Sequence, residues 1–485
     1  MTKRIVLLIL TVFCIVSAFI ACQNNENGNN LQSGGENDVS ETIVDLADIY
    51  ADDLPDYNFN GAPFRMNVLD QTWLTLAYYA DEDTGDLIND AAFARNRSIE
   101  ERFNVKFSQT LIPLSADNER RIVALNVMAG IDDYELYIAI DRYALMYGPE
   151  GVIYKISELP NINLDKPYWS QSMNDCLSIG GELVFAYGAF NLSVYDYTQI
   201  LTFDKQMILD LQLDDPYEMV STGNWTFDKY DQMAKAAVID LNGDGIMDEN
   251  DNYGIVSDPK NILPGFWIGA GVQSIAKTKD DIPQYTLIGD EKFASVIQRI
   301  FEISYDNNSW FRCDAAKYME HYKRLIDGQS LFYISSYSGI ISLRAIETEF
   351  GIIPYPKWDA KQDKYYSRVS GGSPFIVPVT VTDLEMVGAV IEALNAESAK
   401  LVIPAYYDVS LKTKYSRDNE SAAMLDLIFA NRIYDLGDTY WCNTLRDGIF
   451  LTMFSKNDRN LASVLAGVES KIVAEIDEIV NALIK

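Results

Sequence analysis

The organisation of this chain is set out in residues 222–255, which read TGNWTFDKYDQMAKAAVIDLNGDGIMDENDNYGI. The stretch predicts a helix, an ion-binding loop and a strand, in that order. The helix is expected to begin after Thr226, a residue type that caps helix N-termini, and Asp228 in its first turn suits the helix dipole. The strand is the short apolar run 253–256, which contains two β-branched residues.

Between this helix and this strand lies a loop, residues 240–251, with the spacing of a calcium-binding loop. Side-chain oxygens fall at loop positions 1, 3, 5, 9 and 12, glycine falls at position 6, and a backbone carbonyl is available at position 7. The predicted ligands are Asp240, Asn242, Asp244, the carbonyl of Ile246, Asp248 and Asp251. The EF-hand pattern has Glu at position 12, and the shorter Asp reaches less far towards an ion. The alternative is an Asx-rich turn without an ion. We predict one structural Ca²⁺ that pins a surface turn.

The composition is that of a large, acidic, globular protein. Its 485 residues suffice for two or more domains, and 48% hydrophobic with 23% charged residues is ordinary for a globular protein. A net charge of −32 repels phosphate backbones, so we expect no nucleic-acid partner. The 30 Tyr, 21 Phe and 7 Trp suit carbohydrate faces, although core packing uses the same residues.

The amino terminus has the pattern of a secretory leader. Lys3 and Arg4 precede an apolar run that ends at Ala21, so residues 1–21 are predicted to be a signal peptide. Cys22 follows as in the lipobox of bacterial lipoproteins, where that cysteine is acylated. An uncleaved membrane anchor is the alternative, and both readings place the body on the extracellular face of the membrane. The polar, Gly- and Asn-rich region that follows indicates a flexible tether over residues 22–55.

The body alternates between strand and helix patterns, which predicts an α/β protein. A strand, helix, strand, helix, strand order over its first part implies parallel pairing with right-handed crossovers. Further strands are expected at 183–187, 197–203 and 328–334, and the remainder from Leu384 is mostly helical.

Several segments in this order resemble the extracellular solute-binding proteins of bacterial ABC importers, the large lipoprotein type found in clostridia and their relatives. In that family WTFD, a helix, DxNGDGxxDxxDxYGI and a strand recur together, as they do here at 225–255. The further matches are RNRSIEERFNVKF (95–107), GQSLFYISSY (328–337), FGIIPYPKWD (350–359) and ESAKLVIPAYYDVSLKTKYSRDNES (397–421). The resemblance therefore extends over nearly all of the mature chain.

The resemblance implies a two-lobed fold of the type 2 periplasmic-binding-protein kind, in which hinge crossings join two α/β lobes and the ligand lies in the interlobe cleft. Closure of such a cleft is a hinge motion, and contacts made in the closed state supply the affinity. We expect crossings near 188–196, 365–370 and 400–405. The predicted lobes are 56–190 plus 368–402 for the first, and 191–367 plus 403–485, with the loop 240–251, for the second.

The resemblance to members of the maltodextrin-binding type also indicates ligand residues at strand ends that face the cleft. A sugar site stacks aromatic rings on C–H faces and sets charged and amide groups around the polar rim. The candidates are Trp73, Asp141, Arg142, Asn191, Tyr195, Trp267, Tyr337 and Trp441. For each aromatic the alternative is core packing, and for Asp141 with Arg142 it is a surface ion pair.

The expected function is that of a monomeric, non-catalytic binding protein that delivers a sugar, in the form of an oligosaccharide, to the permease subunits of an ABC importer. One alternative is the same fold binding a peptide or another nutrient. Another is a secreted glycoside hydrolase, which needs two carboxylates at a fixed separation. No motif in the sequence singles out such a pair.

Overall fold

The computed structural model describes residues 46–313, 323–342, 349–407 and 418–484. The predicted signal peptide, the predicted acylation site at Cys22 and the first part of the predicted tether lie outside these residues. None of the helices in the described ranges combines the length and the hydrophobicity that crossing a membrane requires.

Fourteen strands are found in the described ranges. In chain order they are β1 (Ala62–Asp70), β2 (Val105–Pro113), β3 (Leu136–Ile138), β4 (Ile153–Tyr154), β5 (Gln199–Asp204), β6 (Tyr253–Ser257), β7 (Ile275–Lys277), β8 (Pro283–Tyr285), β9 (Trp310–Arg312), β10 (Ser330–Ser336), β11 (Phe350–Ile353), β12 (Ser367–Arg368), β13 (Phe375–Pro378) and β14 (Arg432–Ile433).

The α-helices of the same ranges lie before the first of these strands, between them and after the last of them along the chain. They are α1 (Leu46–Ile49), α2 (Leu87–Phe103), α3 (Ala116–Met128), α4 (Asp141–Glu150), α5 (Gln171–Leu177), α6 (Ser193–Asp196), α7 (Lys205–Asp210), α8 (Pro216–Ser221), α9 (Phe227–Ala236), α10 (Pro259–Gly269), α11 (Glu291–Phe301), α12 (Tyr337–Ser342), α13 (Leu384–Glu397), α14 (Ile403–Tyr407), α15 (Asn419–Ala430), α16 (Leu436–Thr439), α17 (Leu451–Ser455) and α18 (Leu461–Leu483). Short π-helical segments extend α11 and α13, and a longer one, Asn443–Phe450, precedes α17.

Two five-stranded sheets carry the fold. The first has the order β2-β1-β3-β13-β4, with β1 parallel to β2 and to β3 and with β13 antiparallel to its neighbours. The second has the order β11-β5-β10-β6-β9, with β6 parallel to β9 and β10 and with β5 antiparallel to β10 and β11. The predicted parallel order of the first three strands is confirmed.

Local sequence explains why the first strand–helix–strand unit forms. In β1 the alternating Phe64, Met66 and Val68 are fully buried, and Asn67 and Leu69 on the opposite face are buried as well, so the second half of the strand lies inside the lobe. The helix α2 is capped by Asp86, whose carboxylate accepts the backbone N–H groups of Ile88 (3.1 Å) and Asn89 (3.2 Å). It ends at a residue in the left-handed conformation, which turns the chain directly into β2.

The helix–loop–strand order predicted from residues 222–255 is also found, as α9, the loop 240–251 and β6. Thr226 occupies the N-cap position as predicted, but its side chain makes no capping hydrogen bond, which corrects the expected role of its hydroxyl. The base of the loop is closed by a bridge between Ile239 and Asn252, so the loop leaves and re-enters the second lobe at one point.

The strand predicted at 183–187 is wrong. These residues are buried, as the apolar run suggested, but they form no ladder with another strand. The backbone of Tyr187 is held instead by α5, because its N–H donates to the Asn174 side chain (2.8 Å) and its carbonyl accepts from that amide (3.1 Å). A short apolar run indicates burial, and here side-chain amides satisfy the buried backbone.

The sheets fall on either side of the predicted lobe boundaries. Every strand of the first sheet lies within 56–190 or 368–402, and every strand of the second lies within 191–367. We call the regions around these sheets the first and second lobes. The chain passes between them at α6, between β12 and β13, and a third time between α13 and α15, while the boundaries themselves stay a prediction.

Candidate functional site

The carboxyl ends of β1 and β3 lie side by side at one edge of the first sheet, and the residues that follow them gather there. Ligands of open α/β sheets bind at this edge because the loops after parallel strands meet there. After β1 comes Trp73, whose side chain is 46% exposed although most aromatic residues of this chain are buried. After β3 come Asp141, Arg142 and Tyr143, which form the first turn of α4.

Trp73 is joined to the segment between the lobes through a residue that the sequence analysis did not single out. The indole Nε1 of Trp73 donates to the hydroxyl of Tyr197 at 3.1 Å, and that hydroxyl donates to Oε1 of Gln71 at 3.3 Å. Gln71 is buried and donates in turn to Ser373, which precedes β13. The chain of hydrogen bonds fixes the polar edge of Trp73 while close to half of its side chain stays exposed.

Asp141 lies beneath this surface rather than on it. Its side chain is buried and accepts the hydroxyl of Tyr434 at 2.5 Å and the backbone N–H of Arg142 at 2.6 Å. Burial raises the pKa of Asp141 to about 6, against the hydrogen bond from Tyr434, which lowers it. Both of its oxygens have partners in the chain, so Asp141 supports the site from below and has no surface for a ligand in this structure.

Arg142 is the predicted polar group that reaches the surface. Its side chain is half-buried and its guanidinium lies over the ring of Tyr143, 5.0 Å from the ring centre. Among the described residues, no hydrogen-bond partner is present for its buried Nε. Burial raises the pKa of Tyr197 to about 12, and the charge of Arg142 acts against that rise. The same charge helps to lower the pKa of Asp447 in the second lobe. Arg142 therefore lies between Tyr197, which binds the indole of Trp73, and Asp447 of the second lobe.

On the second lobe a line of alternating charges runs from the interior to this surface. Nε of Arg368 lies 2.5 Å from Asp438, and Asp438 lies 3.2 Å from Arg446. Arg446 in turn lies 2.7 Å from Asp447, which Lys260 approaches at 3.7 Å. Although burial raises the pKa of Asp447, the Arg446 guanidinium outweighs it and holds that pKa below its usual value. The exposed end of the line, Asp447 with Lys260, is the part that a ligand could contact.

Three of the predicted residues lie in or beside the connections between the lobes. Asn191 is fully buried, and its amide donates to the carbonyl of Ser373 at 3.1 Å. Tyr195 is half-buried against Phe429, with the guanidinium of Arg432 4.0 Å from its ring centre. Tyr337 is 1% exposed and packs on Phe429 as well. Both tyrosine rings pack on Phe429 and Tyr406, which is the core-packing alternative for these residues.

The remaining two predicted aromatics belong to the core of the second lobe. Trp267 lies inside α10, not after a strand, and is 1% exposed between Phe293 and Phe450. Trp441 is 3% exposed beneath Tyr440. The expectation that they stack on a sugar does not fit these positions. Large aromatics stabilise cores through the same ring surface that would bind a sugar, and residue type alone does not separate the two roles.

The loop 240–251 is folded on itself by its own side chains. Asp240 accepts the N–H groups of Gly243 and Gly245, both at 2.7 Å and both in the left-handed conformation that glycine adopts freely. The buried Asp251 reaches back to the N–H groups of Leu241 (2.9 Å) and Asp248 (2.8 Å). Over the described ranges, no three His, Cys, Asp or Glu side chains are grouped as metal ligands would be. The donors are all oxygen, which suits Ca²⁺, but they face backbone amides here.

The chain matches no family model and no curated protein. Solved structures resemble it at the level of fold. The sugar-binding protein MalE from the phytopathogen Xanthomonas citri has a TM-score of 0.59 at 10% identity, covering 87% of this chain and 98% of its own. A cyclo/maltodextrin-binding protein complexed with maltotetraose has 0.57 at 12%, covering 88% and 99%. The ABC substrate-binding protein Lmo0181 from Listeria monocytogenes, in complex with cycloalternan, has 0.52 at 10%, covering 86% and 98%.

The chain has the fold of ABC substrate-binding proteins. The two-lobed α/β architecture expected from the resemblance is confirmed. Trp73 and Arg142 follow the carboxyl ends of β1 and β3, and the charge of Arg142 acts on Asp447 of the second lobe.

Of the predicted ligand residues, the structure therefore brings Trp73 and Arg142 together at a surface, with Asp141 below them. The residues that the sequence analysis missed are Tyr197, Asp447 and Lys260. Tyr197 could have been found from its place immediately before β5, beside the first expected crossing. Asp447 and Lys260 carry no local signal, because they are 187 positions apart in the sequence and meet only in the folded second lobe.

Proposed function

We propose that this chain is an extracellular solute-binding protein that delivers a carbohydrate, in the size range of an oligosaccharide, to an ABC importer by closure of its two lobes. The observation that carries the proposal is the exposed indole of Trp73, fixed by Tyr197 at the edge where β1 and β3 end. An indole held by its N–H can offer its exposed ring surface to C–H groups, which is how proteins stack on sugars.

Charged groups around this ring support a sugar rather than a purely apolar guest. Arg142 and the pair Asp447–Lys260 supply donors and acceptors within one surface, as the hydroxyl rim of a sugar needs. Two of the similar structures contain maltotetraose and cycloalternan, both of them carbohydrates. Because identities of 10–12% carry the fold alone, the carbohydrate assignment rests mainly on the site.

The alternatives make different predictions for the same surface. A peptide or another nutrient would use the same aromatic ring and charges, so only a solute screen separates these ligands from sugars. A glycoside hydrolase would release products from an oligosaccharide, and it would need a carboxylate held neutral as a general acid beside a second carboxylate. Asp141 has a raised pKa, but Tyr434 and the Arg142 backbone occupy its oxygens, which favours a binding protein.

The experiment is a thermal-shift screen of the purified chain with maltotetraose, other neutral oligosaccharides, single sugars and short peptides. A bound solute stabilises the folded state by mass action, so a tenfold excess over Kd raises the Tm measurably. The proposal requires at least one carbohydrate to raise the Tm and to be recovered intact by chromatography. Stabilisation by peptides alone would mean that the solute is a peptide and not a carbohydrate. Cleavage of the sugar would mean that the protein is an enzyme and not a binding protein.

Trp73→Ala is the matching variant for the stabilising sugar, and Trp358→Ala is its control. Trp358 is the other tryptophan with exposed surface among the described residues, and it packs on Phe227 of the second lobe, away from the strand ends of the first. Loss of one stacked aromatic should weaken binding by roughly tenfold or more in Trp73→Ala only. Equal affinities of both variants and the wild type would remove Trp73 from the site.

The proposal includes delivery at the membrane. Acylation of Cys22 after removal of residues 1–21 would hold the body outside the cell, within reach of the importer's permease subunits. Expression in a bacterium with Cys22→Ala as the control tests this, because the wild type should fractionate with membranes and the variant should not. A monomer is expected in solution, which light scattering after size-exclusion chromatography measures.

We also propose that the loop 240–251 binds one Ca²⁺ that stabilises the second lobe. The all-oxygen donor set and the bridge that closes the base of the loop support this proposal. On binding an ion, the carboxylates would exchange their hydrogen bonds to neighbouring backbone amides for contacts with Ca²⁺. Ca²⁺ would supply the positive charge that this run of carboxylates otherwise lacks. Calorimetric titration of chelator-treated protein with Ca²⁺ should give one site, and no heat of binding would leave the loop as an ion-free turn.

A further inference from the structure

Three segments of the described chain link the lobes, and they meet at one point. The first is α6 with the residues up to β5, the second runs from β12 to β13, and the third contains α14. In the first segment the consecutive residues Asp196, Tyr197 and Thr198 contact both of the others. Thr198 forms a bridge with Val369, and the carbonyl of Tyr197 accepts the N–H of Ser370 at 3.0 Å.

Asp196 extends this junction in two directions. Its carboxylate accepts the hydroxyl of Tyr406 in the third segment at 2.9 Å. It also accepts the backbone N–H of Thr75 at 2.6 Å and the hydroxyl of Thr75 at 3.3 Å. Thr75 lies two residues after Trp73, in the loop that follows β1. One side chain thus joins the third linking segment to the loop that carries the exposed indole.

Asp196 makes these contacts without a cation. It is fully buried, and no Lys or Arg forms an ion pair with it within the described ranges. Burial raises its pKa to about 6, while the hydrogen bonds from Thr75 and Tyr406 lower it. A buried carboxylate without a counter-ion is costly, so packing alone would favour a neutral residue at this position.

We propose that Asp196 is a positioning residue for solute binding, which holds the loop 71–75 to the junction of the linking segments and so sets the orientation of Trp73. This inference rests on the proposed function. Tyr197 fixes the polar edge of the Trp73 indole and Asp196 fixes the backbone two residues further on. A hinge movement that displaces the junction therefore moves the ring with it, which couples lobe closure to the stacking surface.

The first test measures the position of Trp73 without any solute. Protein labelled with 5-fluorotryptophan is studied by ¹⁹F NMR, and the Trp73 resonance is identified from its loss in Trp73→Phe. Asp196→Asn retains the shape but replaces one acceptor oxygen with an amide donor. Two hydroxyls and the backbone N–H of Thr75 donate to this carboxylate, so the hydrogen bonds to the replaced oxygen are lost or reversed. The Trp73 resonance should shift or broaden, while the resonances of the buried tryptophans Trp225 and Trp310 stay in place.

The matched control is Glu392→Gln. Glu392 is also a fully buried carboxylate that accepts a backbone N–H, from Asn163, and a tyrosine hydroxyl, from Tyr168, but it holds Trp169 in the first lobe rather than the Trp73 loop. This variant should leave the Trp73 resonance unchanged. Tyr406→Phe, which removes only the hydroxyl donor, provides a second variant and should shift the Trp73 resonance less than Asp196→Asn.

The second test measures affinity by calorimetry, with maltotetraose or, where that sugar does not bind the wild type, the solute that stabilises it in the thermal screen. Asp196→Asn should bind roughly tenfold more weakly, the loss that one hydrogen bond accounts for, and Glu392→Gln should bind as the wild type. An unchanged Trp73 resonance in both Asp196→Asn and Tyr406→Phe overturns the inference. A shifted resonance with wild-type affinity overturns the positioning role while the proposed function stands. A wild type that binds no solute overturns the proposed function and this role together.

Discussion

The buried line of charges in the second lobe allows a stability prediction with a defined magnitude. Asp438 lies between two arginines, 2.5 Å from Nε of Arg368 and 3.2 Å from Arg446, and the three side chains are 4%, 1% and 8% exposed. Asp438→Asn keeps the size and shape of the side chain and removes its charge. Both guanidinium groups then stay in the protein interior without the carboxylate that they share.

Removing one partner of a buried ion pair costs about 3–5 kcal/mol, because the remaining charge is still desolvated. The change in melting temperature follows from the entropy of unfolding. At about 2.1 cal/mol/K per residue, the roughly 440 residues from Leu46 to Lys485 give about 0.9 kcal/mol/K. Asp438→Asn should therefore lower the Tm by about 3–5 °C.

The assay is urea unfolding followed by fluorescence, together with calorimetric Tm values, on the wild type and two variants. The control is Asp306→Asn. Asp306 pairs with Arg459 at 2.6 Å, but both side chains are nearly half exposed, at 48% and 44%. Water replaces the lost partner at such a site, so the control should lose much less stability than Asp438→Asn.

The reasoning is refuted if Asp438→Asn loses no more stability than Asp306→Asn. That result would mean that water or rearranged side chains reach the interior charges as easily as the surface ones. Arg446 also contacts Asp447, so a loss near the lower end of the range would indicate that Arg446 turns fully towards Asp447. A double variant with Asp447→Asn separates the two contributions, because coupled sites give non-additive losses.

Three further predictions follow from the site, the loop and the buried carboxylates. Tyr197→Phe removes the hydroxyl that joins Trp73 to Gln71, so calorimetry should show binding of the stabilising sugar weakened by roughly three- to tenfold with little change in Tm. Chelator should lower the Tm of the wild type and leave that of Asp251→Ala unchanged, since the buried carboxylate at loop position 12 is lost; an equal response of both would exclude this residue as a ligand. Burial raises the pKa of Asp435 from 3.8 to about 6, so the folded state binds this proton more tightly than the unfolded state does. The stability that the bound proton contributes is therefore fully present below pH 3.8 and is lost as the pH rises through about 6. The gain in Tm from pH 7.5 to pH 5 should therefore be smaller in Asp435→Asn than in the wild type, and an equal gain would contradict the buried position of this proton.

Much of the fold could be predicted from local patterns. The alternation of apolar residues in β1 and the capping residue Asp86 before α2 act within a few residues of sequence. The loop spacing at 240–251 likewise predicted where a helix ends and a strand begins. Each of these signals depends on backbone periodicity or on a side chain bonding its own neighbourhood, and neither depends on where the rest of the chain lies.

Local patterns did not distinguish a buried ring from an exposed one. Trp73 and Trp267 were predicted for the same role, yet the first is exposed beside Tyr197 and the second is enclosed by Phe293 and Phe450. The error has a physical origin. An indole gains free energy from any apolar cover, and a sugar and two phenylalanines both provide it.

Residue order was sufficient to establish that this chain is an α/β protein whose first three strands pair in parallel, because strand and helix periods and their alternation follow directly from the order of residues. Only the folded arrangement decided which polar groups share a surface. Asp141 meets Tyr434 and Arg368 meets Asp438 across 293 and 70 residues of chain. Contacts of this kind depend on how the intervening segments pack, and a local sequence pattern carries no information about residues so far apart. The candidate site could therefore be identified only from the folded arrangement of both lobes.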